Sequence, residues 1–335
     1  MTEPLIVVKG LEKSFVSRNH WAETFNLRKV GFVSRERIYA INGVDLHIEY
    51  GERLCIVGES GCGKSTLARV IMGLEDPTAG SVYFGETRLD TMSERKRMPY
   101  RRKMQMVFQN PHASLNPRMS VYQMLNEAMS VHLKELSASE RDERIESLLT
   151  AVGLSADAED RYPHEFSGGQ RQRISLARAL SVEPELIVAD EPLAALDVSV
   201  QAQVLNLMMD KQQEFGLTYV FITHNLSVVE HFATRVAVMY LGRICEIADR
   251  ETLFKCPKHP YTKALLSSIP RLDNLQVQHV PLKGEVPTPL EKPVGCAFCS
   301  RCPLANQRCF EQIPVMNVQS DGSQVACHAI EEGRD

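Results

Sequence analysis

The chain has 335 residues, with 38 Lys and Arg against 42 Asp and Glu for a net charge of −4, and 44% of its residues are hydrophobic. This composition excludes the disordered, collagenous and fibrous classes of protein. The net charge is too small to create the positive electrostatic potential that sequence-independent nucleic-acid binding requires. The length predicts about two domains. No apolar run reaches the roughly 18 residues of a membrane span, and the first residues do not form a secretory signal. We therefore expect a cytoplasmic protein whose nine cysteines are reduced or bound to metal.

Short apolar runs and segments of helical spacing alternate along most of the chain. The apolar runs predict strands at residues 5–8, 38–48, 54–57, 186–189 and 219–223. Helical spacing predicts a helix from Ser65 to about Gly73, a helical insertion within residues 118–165 and a further helix after Ser167. Strands that alternate with helices indicate a mostly parallel sheet with right-handed crossovers.

Two regions depart from this alternation. Residues 17–37 are basic and contain several aromatic side chains. We interpret them either as a solvated loop that enlarges a hairpin or as a contact with a membrane surface or a partner. Beyond about residue 255, prolines and then cysteines accumulate, and this change predicts a domain boundary.

The first chemical motif is a glycine-rich loop between a predicted strand and a predicted helix. Its residues match the pattern G-x-x-x-x-G-K-[ST] and precede Thr66: Gly58, Glu59, Ser60, Gly61, Cys62, Gly63, Lys64 and Ser65. Glycines let the backbone wrap a phosphate, so that N–H groups and the helix N-terminus point at the anion. We expect Lys64 to reach the β- and γ-phosphates and the Ser65 hydroxyl to ligate Mg²⁺. The strand–loop–helix context disfavours an ordinary glycine turn.

The second motif is a pair of carboxylates, Asp190 and Glu191, at the end of an apolar strand. A carboxylate in that position can reach a metal beside a phosphate loop, so Asp190 is predicted on the Mg²⁺ side. Glu191 is predicted to polarise the water that attacks the γ-phosphate. Taken alone, the pair would be read as solvated acids at a strand end, and the phosphate loop upstream favours the catalytic interpretation.

The third motif, Ser167, Gly168, Gly169 and Gln170, opens a helix. Ser167 suits an N-cap, and the two glycines leave backbone N–H groups accessible. This predicts a second anion-binding helix start, distant in sequence from the first. An ordinary capped helix is the alternative.

In this order and spacing the three motifs resemble the nucleotide-binding subunit of an ATP-binding cassette (ABC) transporter. The resemblance implies an α/β fold: a P-loop NTPase core of the ABC type with an inserted helical subdomain, an antiparallel β subdomain and a small Cys-rich C-terminal domain. It places the ATPase domain at residues 1–255, with the helical subdomain at about 110–165, and a C-terminal extension with a cysteine cluster at 256–335.

The resemblance also implies roles for single residues that would otherwise be taken as structural. Gln109 matches the glutamine that senses the metal, as a Mg²⁺ ligand, and the membrane partner. His224 matches the switch histidine that contacts the γ-phosphate, and Asp197 lies in the loop that crosses to the partner subunit. Phe15 matches the aromatic residue that stacks on adenine, with Tyr39 as the alternative.

Members of this family work as head-to-tail pairs. Each ATP then lies between one subunit's phosphate loop and the other's Ser167–Gln170 segment, and hydrolysis releases the two halves. Two positions depart from the family pattern, because Ala194 stands where serine is usual and Asn225 where aspartate is usual. Lys64, Asp190, Glu191 and His224 are present, so we expect a catalytically competent half-site.

Further segments resemble the dipeptide/oligopeptide importer branch of the family: residues 109–118, 162–173, 197–204, 259–265 and 295–302. Importers for nickel, glutathione and antimicrobial peptides share much of this pattern. The resemblance implies a second, paralogous ABC ATPase, two membrane permease subunits and a substrate-binding protein as partners, with no nucleic acid. It places the chain at the cytoplasmic face of the inner membrane.

The C-terminal cysteines are the last candidate site. Thiolates at short intervals in a reducing compartment favour metal over disulfide, and an iron–sulfur cluster, a structural zinc ion and free thiols all stay open. The resemblance implies Cys296, Cys302, Cys309 and Cys327 as ligands of a four-iron, four-sulfur cluster, with Cys299 as an additional thiol. Cys62, in the phosphate loop, is interpreted as a permissive position without redox function.

Other classes of protein fit the sequence less well. ABC ATPases of translation or DNA repair carry two cassettes or long coiled coils, whereas this chain has one cassette and no sustained heptads. A P-loop kinase or GTPase has no need of the Ser167–Gln170 motif or of a switch histidine. An ABC exporter half usually fuses its cassette to membrane helices, and no such apolar segment occurs in this sequence.

Overall fold

The computed structural model describes residues 3–16, 37–109, 114–268 and 292–334. The basic insert lies outside the described residues except for Arg37. The strands, in chain order, are β1 Ile6–Val16, β2 Arg37–Ile48, β3 Arg53–Val57, β4 Ala79–Phe84, β5 Thr87–Arg88, β6 Met104–Val107, β7 Leu186–Asp190, β8 Thr218–Ile222, β9 Arg235–Tyr240, β10 Arg243–Asp249, β11 Asn317–Val318 and β12 Gln324–Val325.

The helices, in chain order, are α1 Lys64–Ile71, α2 Glu94–Lys103, α3 Val121–His132, α4 Ala138–Ala151, α5 Gly168–Leu180, α6 Val198–Phe215, α7 Leu226–Phe232, α8 Arg250–Lys255, α9 Pro260–Ser267, α10 Gln307–Glu311 and α11 His328–Glu331. Short 3₁₀ turns lie at Ala156–Asp160, Pro163–Glu165 and Cys299–Arg301. Within the described part of the chain, no helix is both long and apolar enough to span a bilayer.

Packing groups the chain into two compact units. The first unit combines Met1–Leu5, Ile48–Ile56 and Thr91–Thr234, and the second combines Ile6–His47, Val57–Asp90 and Arg235–Asp335. The second unit therefore contains both the phosphate loop and the C-terminal segment that begins at Arg235. This grouping does not use the predicted boundary near residue 255, which stays a prediction.

The first unit is built on parallel strands in the order β3–β8–β7–β6. Every residue of β7 and β8 is buried. Strands covered on both faces read as continuous apolar runs, and that is how the sequence predicted them. The predicted parallel core is confirmed, with each boundary within a residue or two.

The helical insertion of the first unit begins where serines cap helices. Ser120 and Ser137 open α3 and α4, each in a capping box with the residue three positions later. The two helices enclose fully buried apolar side chains: Leu125, Met129, Ile145 and Leu149. The predicted helical insertion within residues 118–165 is confirmed.

The second unit is antiparallel. One sheet has the order β2–β1–β4–β5, in which β1 runs to Val16 and is much longer than the strand predicted at residues 5–8. The charged residues that follow Val8 hid this extension, because a bulge between Lys9 and Glu12 breaks the alternation of buried and exposed side chains.

A second antiparallel ladder pairs β9 with β10, β10 with β12 and β12 with β11. The sequence did not predict the β9–β10 hairpin, and the expectation of a mostly parallel sheet does not extend to this unit. The hairpin turns at Leu241 and Gly242, both with positive φ (42° and 78°). A leucine in the left-handed region is uncommon, so the pair does not read as a turn from sequence.

Candidate functional site

The phosphate loop of the second unit lies between β3 and α1, as predicted. Gly58, Gly61 and Gly63 have φ values of 153°, 78° and 105°, and Gly63 caps α1. The Lys64 ammonium group donates hydrogen bonds to the carbonyl oxygens of Gly58 (2.8 Å) and Glu59 (2.9 Å). The lysine therefore ties the two ends of the loop together, and the positive φ values of the glycines are what a backbone that wraps a phosphate requires.

Two of these glycines are required by close backbone neighbours. A Cβ on Gly58 would lie 2.1 Å from the carbonyl oxygen of Met239, and one on Gly63 would lie 2.2 Å from that of Ala40. Cys62, by contrast, is buried, and burial raises the pKa of its thiol. A buried thiol with a raised pKa is a poor redox site, in agreement with the interpretation of Cys62 as permissive.

In the first unit, three parallel strands end in one row. Ile56 of β3 pairs with Ile222 of β8, which pairs with Asp190 of β7. Gly58 follows Ile56 by two residues, and His224 follows Ile222 by two. The acidic pair and the switch histidine thus emerge at the carboxyl edge of the strands, where ligands bind in open α/β sheets.

Glu191 is the centre of a hydrogen-bonded group in the first unit. Its Oε2 accepts a hydrogen bond from the Gln109 amide (2.9 Å), and its Oε1 lies 3.1 Å from His224 Nδ1. The three residues come from segments that follow β6, β7 and β8. The structure therefore brings together Glu191, which the acidic pair at the strand end predicted, with Gln109 and His224, which the sequence selected only through the family resemblance.

The backbone holds Glu191 in an unusual conformation. Its φ is 46°, in the left-handed region that non-glycine residues seldom adopt, and its N–H donates to the carbonyl oxygen of Ile222 (2.9 Å). Such strain is found at functional positions, where the surroundings enforce it. It turns the Glu191 side chain away from the strand direction that Asp190 still follows.

The Ser167–Gln170 motif forms a capping box at the start of α5. Ser167 Oγ accepts from the Gln170 N–H (3.3 Å), and the Gln170 side chain accepts from the Ser167 N–H (2.9 Å). The helix start predicted from sequence is confirmed. The N–H groups of Gly168 and Gly169 lie in the first turn, where helix N–H groups have no partner inside the helix and suit an anion.

The second glycine of this motif has a packing role that the sequence did not reveal. A Cβ on Gly169 would lie 2.4 Å from Val200 Cγ1 of α6, whereas one on Gly168 would meet Leu196 at an ordinary 3.4 Å. Gly169 thus lets α5 and α6 approach closely. The signal was absent from the sequence because Val200 is distant along the chain.

The two departures from the family pattern fit locally. Asn225 caps α7, and its side-chain oxygen accepts from the N–H groups of Ser227 (3.1 Å) and Val228 (3.4 Å). Asparagine and aspartate cap helices about equally well, so the neutral side chain keeps this function. Ala194 donates its N–H to the Glu191 carbonyl oxygen (3.2 Å), a backbone contact that needs no serine hydroxyl. Asp197 stands at the N-cap of α6.

Comparison with known proteins decides the family. A profile described as "ABC transporter" matches residues 41–194, and one described as "Oligopeptide/dipeptide transporter, C-terminal region" matches residues 245–309. The dipeptide transport ATP-binding protein DppF of Haemophilus influenzae is 49% identical over 330 residues, which cover 98% of this chain and 97% of that protein. The chain belongs to the ABC transporter family.

Other relatives and solved structures agree with this assignment. The DppF protein of Escherichia coli is 47% identical over 92% of each chain, and the putative oligopeptide transport ATP-binding protein YkfD of Bacillus subtilis is 52% identical over 88% of this chain and 90% of its own. The dimeric ATP-binding cassette MJ0796 bound to ADP and Pi has a TM-score of 0.61 and 27% identity, over 73% of this chain and 98% of that one. As an ABC ATPase, the chain uses ATP and Mg²⁺.

The aromatic residues predicted near adenine lie in the second unit of this ABC ATPase. Phe15, near the end of β1, is 37% exposed, and the Lys13 ammonium lies 4.9 Å from the centre of its ring. Tyr39 is half-buried in β2, and its carbonyl oxygen accepts from the Asn42 amide (3.3 Å). Because its ring is partly exposed, Phe15 remains the preferred candidate for stacking on adenine.

The C-terminal cysteines lie near one another in the second unit. Burial, together with smaller contributions from the nearby Cys327, Cys299 and Cys309, raises the pKa of Cys296 to about 12. Burial also raises the pKa of Cys302, with Cys327 and Cys309 as neighbours. Among the residues that the structure describes, however, no three His, Cys, Asp or Glu side chains are arranged to hold a metal ion.

Proposed function

We propose that the chain is the ATP-hydrolysing subunit that energises a bacterial importer of dipeptides or oligopeptides. The observation that carries this proposal is similarity to dipeptide transport ATP-binding proteins over nearly the whole chain, together with the match of its C-terminal part to the region found in oligopeptide and dipeptide transporters. A generic ABC ATPase would explain only the match of residues 41–194 to the ABC transporter profile. The C-terminal match favours the peptide branch.

The proposed chemistry assigns each motif one task. The phosphate loop, with Lys64, binds the triphosphate, and Glu191 accepts a proton from the attacking water while His224 and Gln109 hold its carboxylate. The proposed Mg²⁺ ligands are Ser65, Gln109 and Asp190. They offer hydroxyl, amide and carboxylate oxygens, which are the donor atoms that Mg²⁺ prefers. The bound ion would neutralise part of the phosphate charge. Phe15 is the proposed adenine contact.

We propose that two such subunits form a head-to-tail pair, in which the Ser167–Gln170 segment of one binds the nucleotide held by the other. Each chain presents two helix starts suited to an anion, α1 and α5, and each site takes one triphosphate. A pair in which Asp197 and its loop cross to the partner uses both. The partner is proposed to be a different, paralogous ATPase.

The proposed location is the cytoplasmic face of the inner membrane, on two permease subunits that receive cargo from a substrate-binding protein. Coexpression of the chain with those subunits should yield a complex whose ATPase rate rises several-fold when the binding protein is loaded with a dipeptide. Stimulation by nickel, glutathione or an antimicrobial peptide instead would move the chain to a related importer. A chain that never associates with a permease would contradict transport altogether.

The cysteine cluster is proposed to hold a four-iron, four-sulfur cluster on Cys296, Cys302, Cys309 and Cys327. The mutual proximity of these thiols and their partly apolar surroundings, which include Val325 and Ala329, support the proposal. Among the described residues the side chains do not form a ready-made ligand set, so the proposal requires them to reorient on binding. Iron and zinc analysis and visible absorption of anaerobically purified protein test this, and colourless, metal-free protein would overturn it.

A further inference from the structure

The phosphate loop contains a carboxylate at its second position. Glu59 follows Gly58, and its own backbone carbonyl accepts from Lys64 (2.9 Å). A negative side chain in a loop that binds a polyanion opposes binding, since like charges repel across a short distance. A feature that neutralises Glu59 and fixes its side chain would therefore favour phosphate binding by the loop.

Arg301, in the cysteine-rich part of the chain, provides that feature. Its guanidinium donates two hydrogen bonds to the Glu59 carboxylate, from Nη1 to Oε2 (2.6 Å) and from Nη2 to Oε1 (3.1 Å). The Arg301 side chain is only 6% exposed and that of Glu59 is 24% exposed. A two-pronged pair so shielded from water is far stronger than an ordinary surface ion pair.

A second contact fixes the backbone of the same residue. The N–H of Glu59 donates to the hydroxyl of Tyr261 (2.9 Å), at the start of α9. Tyr261 is fully buried and packs against Tyr240 and Phe298, with ring centres 4.7 and 5.3 Å away. Phe298 immediately precedes the 3₁₀ turn that carries Arg301, so one aromatic cluster supports both contacts.

We propose that Arg301 is a positioning residue for ATP binding, through which the C-terminal extension neutralises Glu59 and holds the phosphate loop in its binding conformation. The proposal rests on the proposed ATPase function and deepens it, because it makes the extension part of the nucleotide site. Arg301 contacts the loop through the Glu59 carboxylate, and the proposal assigns it no contact with the nucleotide. It acts through Glu59.

This arrangement predicts an effect on binding more than on chemistry. The loop holds the triphosphate in the ground state and in the transition state alike, and a loop that is competent only part of the time lowers apparent affinity by that fraction. Arg301→Gln removes both charged hydrogen bonds to Glu59, and the loss of one alone corresponds to about tenfold, so KM for ATP should rise at least about tenfold while kcat changes by less than about twofold.

The decisive comparison is a double-mutant cycle on the full-length chain in its permease complex. In Arg301→Gln the Glu59 carboxylate is bare beside the phosphates, whereas in the double variant Glu59→Gln/Arg301→Gln it is gone. The double variant should regain most of the lost affinity for ATP, to within about threefold of the wild type. Arg308→Gln is the matched control, because Arg308 pairs with Glu331 and Glu332 and touches no part of the loop.

Two results would overturn the proposal. One is a KM for Arg301→Gln within twofold of the wild type. The other is an equal loss in the single and double variants, since a merely structural role for Arg301 in the extension cannot be rescued by removing a charge from the loop. If Arg301→Gln prevents assembly of the complex, equilibrium binding of radiolabelled ATP to the isolated full-length chain decides by the same two criteria.

Hydrogen exchange of the nucleotide-free chain gives a readout independent of catalysis. Amides of residues 57–64 should lose about tenfold protection in Arg301→Gln and none in Arg308→Gln, and unchanged exchange in both would contradict the proposal. A wild-type complex that binds ATP without hydrolysing it would refute the proposed function. The cycle measured by ATP binding would still decide the role of Arg301.

Discussion

Replacing Glu191 by Gln separates the chemical role of this residue from its structural role. Glu191 is held at both carboxylate oxygens, by Gln109 at 2.9 Å and by His224 at 3.1 Å. A glutamine has the same shape and can accept from Gln109 with its oxygen while its amide faces His224. The His224 side chain is 62% exposed and that of Glu191 18%, so water screens the contact that the substitution weakens, and stability should change by less than about 1 kcal/mol.

The loss of turnover should be much larger. General-base assistance contributes a factor of about 10² to 10⁴, which corresponds to about 3–5 kcal/mol of the activation barrier. ATP hydrolysis by the assembled complex, measured as phosphate release, should therefore fall at least a hundredfold in Glu191→Gln. ATP binding, measured by equilibrium dialysis, should stay within about twofold.

Glu214→Gln is the control, because it makes the same chemical change elsewhere in the first unit. Glu214 pairs with Lys211 on the exposed side of α6. Its ATPase rate should match the wild type. A Glu191→Gln complex that keeps more than a tenth of wild-type turnover would refute the assignment of the general base.

Two further predictions concern stability. Gly169→Ala places a Cβ 2.4 Å from Val200 and should cost about 1–3 kcal/mol of unfolding free energy, clearly more than Gly168→Ala, as chemical denaturation will show. Burial lowers the pKa of His259 to about 3, so between pH 6.5 and 3 the unfolded chain takes up a proton that the folded chain refuses, and stability falls as the pH decreases through that window. His259→Asn keeps a cap for the Tyr261 N–H (3.0 Å in the wild type) and should flatten this decline by about 1.4 kcal/mol per pH unit; parallel pH curves for the two proteins would refute the burial argument.

The sequence was most informative where local chemistry specifies local structure. The phosphate loop needs glycines with positive φ, a lysine and a helix start, and all of these are adjacent in the chain. The capping box of Ser167 and Gln170 likewise depends on residues that lie within four positions of one another. The buried strands β7 and β8 appeared as continuous apolar runs because both faces are covered.

Features that depend on distant residues could not be predicted. Nothing in the sequence pairs Glu59 with Arg301. The strand-end motif predicted Glu191 and the resemblance supplied Gln109 and His224, but neither indicated the hydrogen bonds that join the three. The β9–β10 hairpin was missed because its turn uses a leucine, and local turn rules favour glycine and asparagine there. Tyr261 carried a signal only as part of a branch motif, with no indication that its hydroxyl meets the loop.

The claim that a nucleotide is shared by two chains is tested most directly at Ser167. Aspartate caps a helix as well as serine does, so Ser167→Asp should preserve α5 while placing a negative charge against the triphosphate of the partner site, and Ser167→Asn is the neutral control. With both ATPase chains of the purified complex substituted, we expect Ser167→Asp to lose ATP hydrolysis and ATP-dependent pairing at least tenfold more than Ser167→Asn, while each isolated chain still binds ATP. Equal turnover in the two variants would contradict a site completed by the partner.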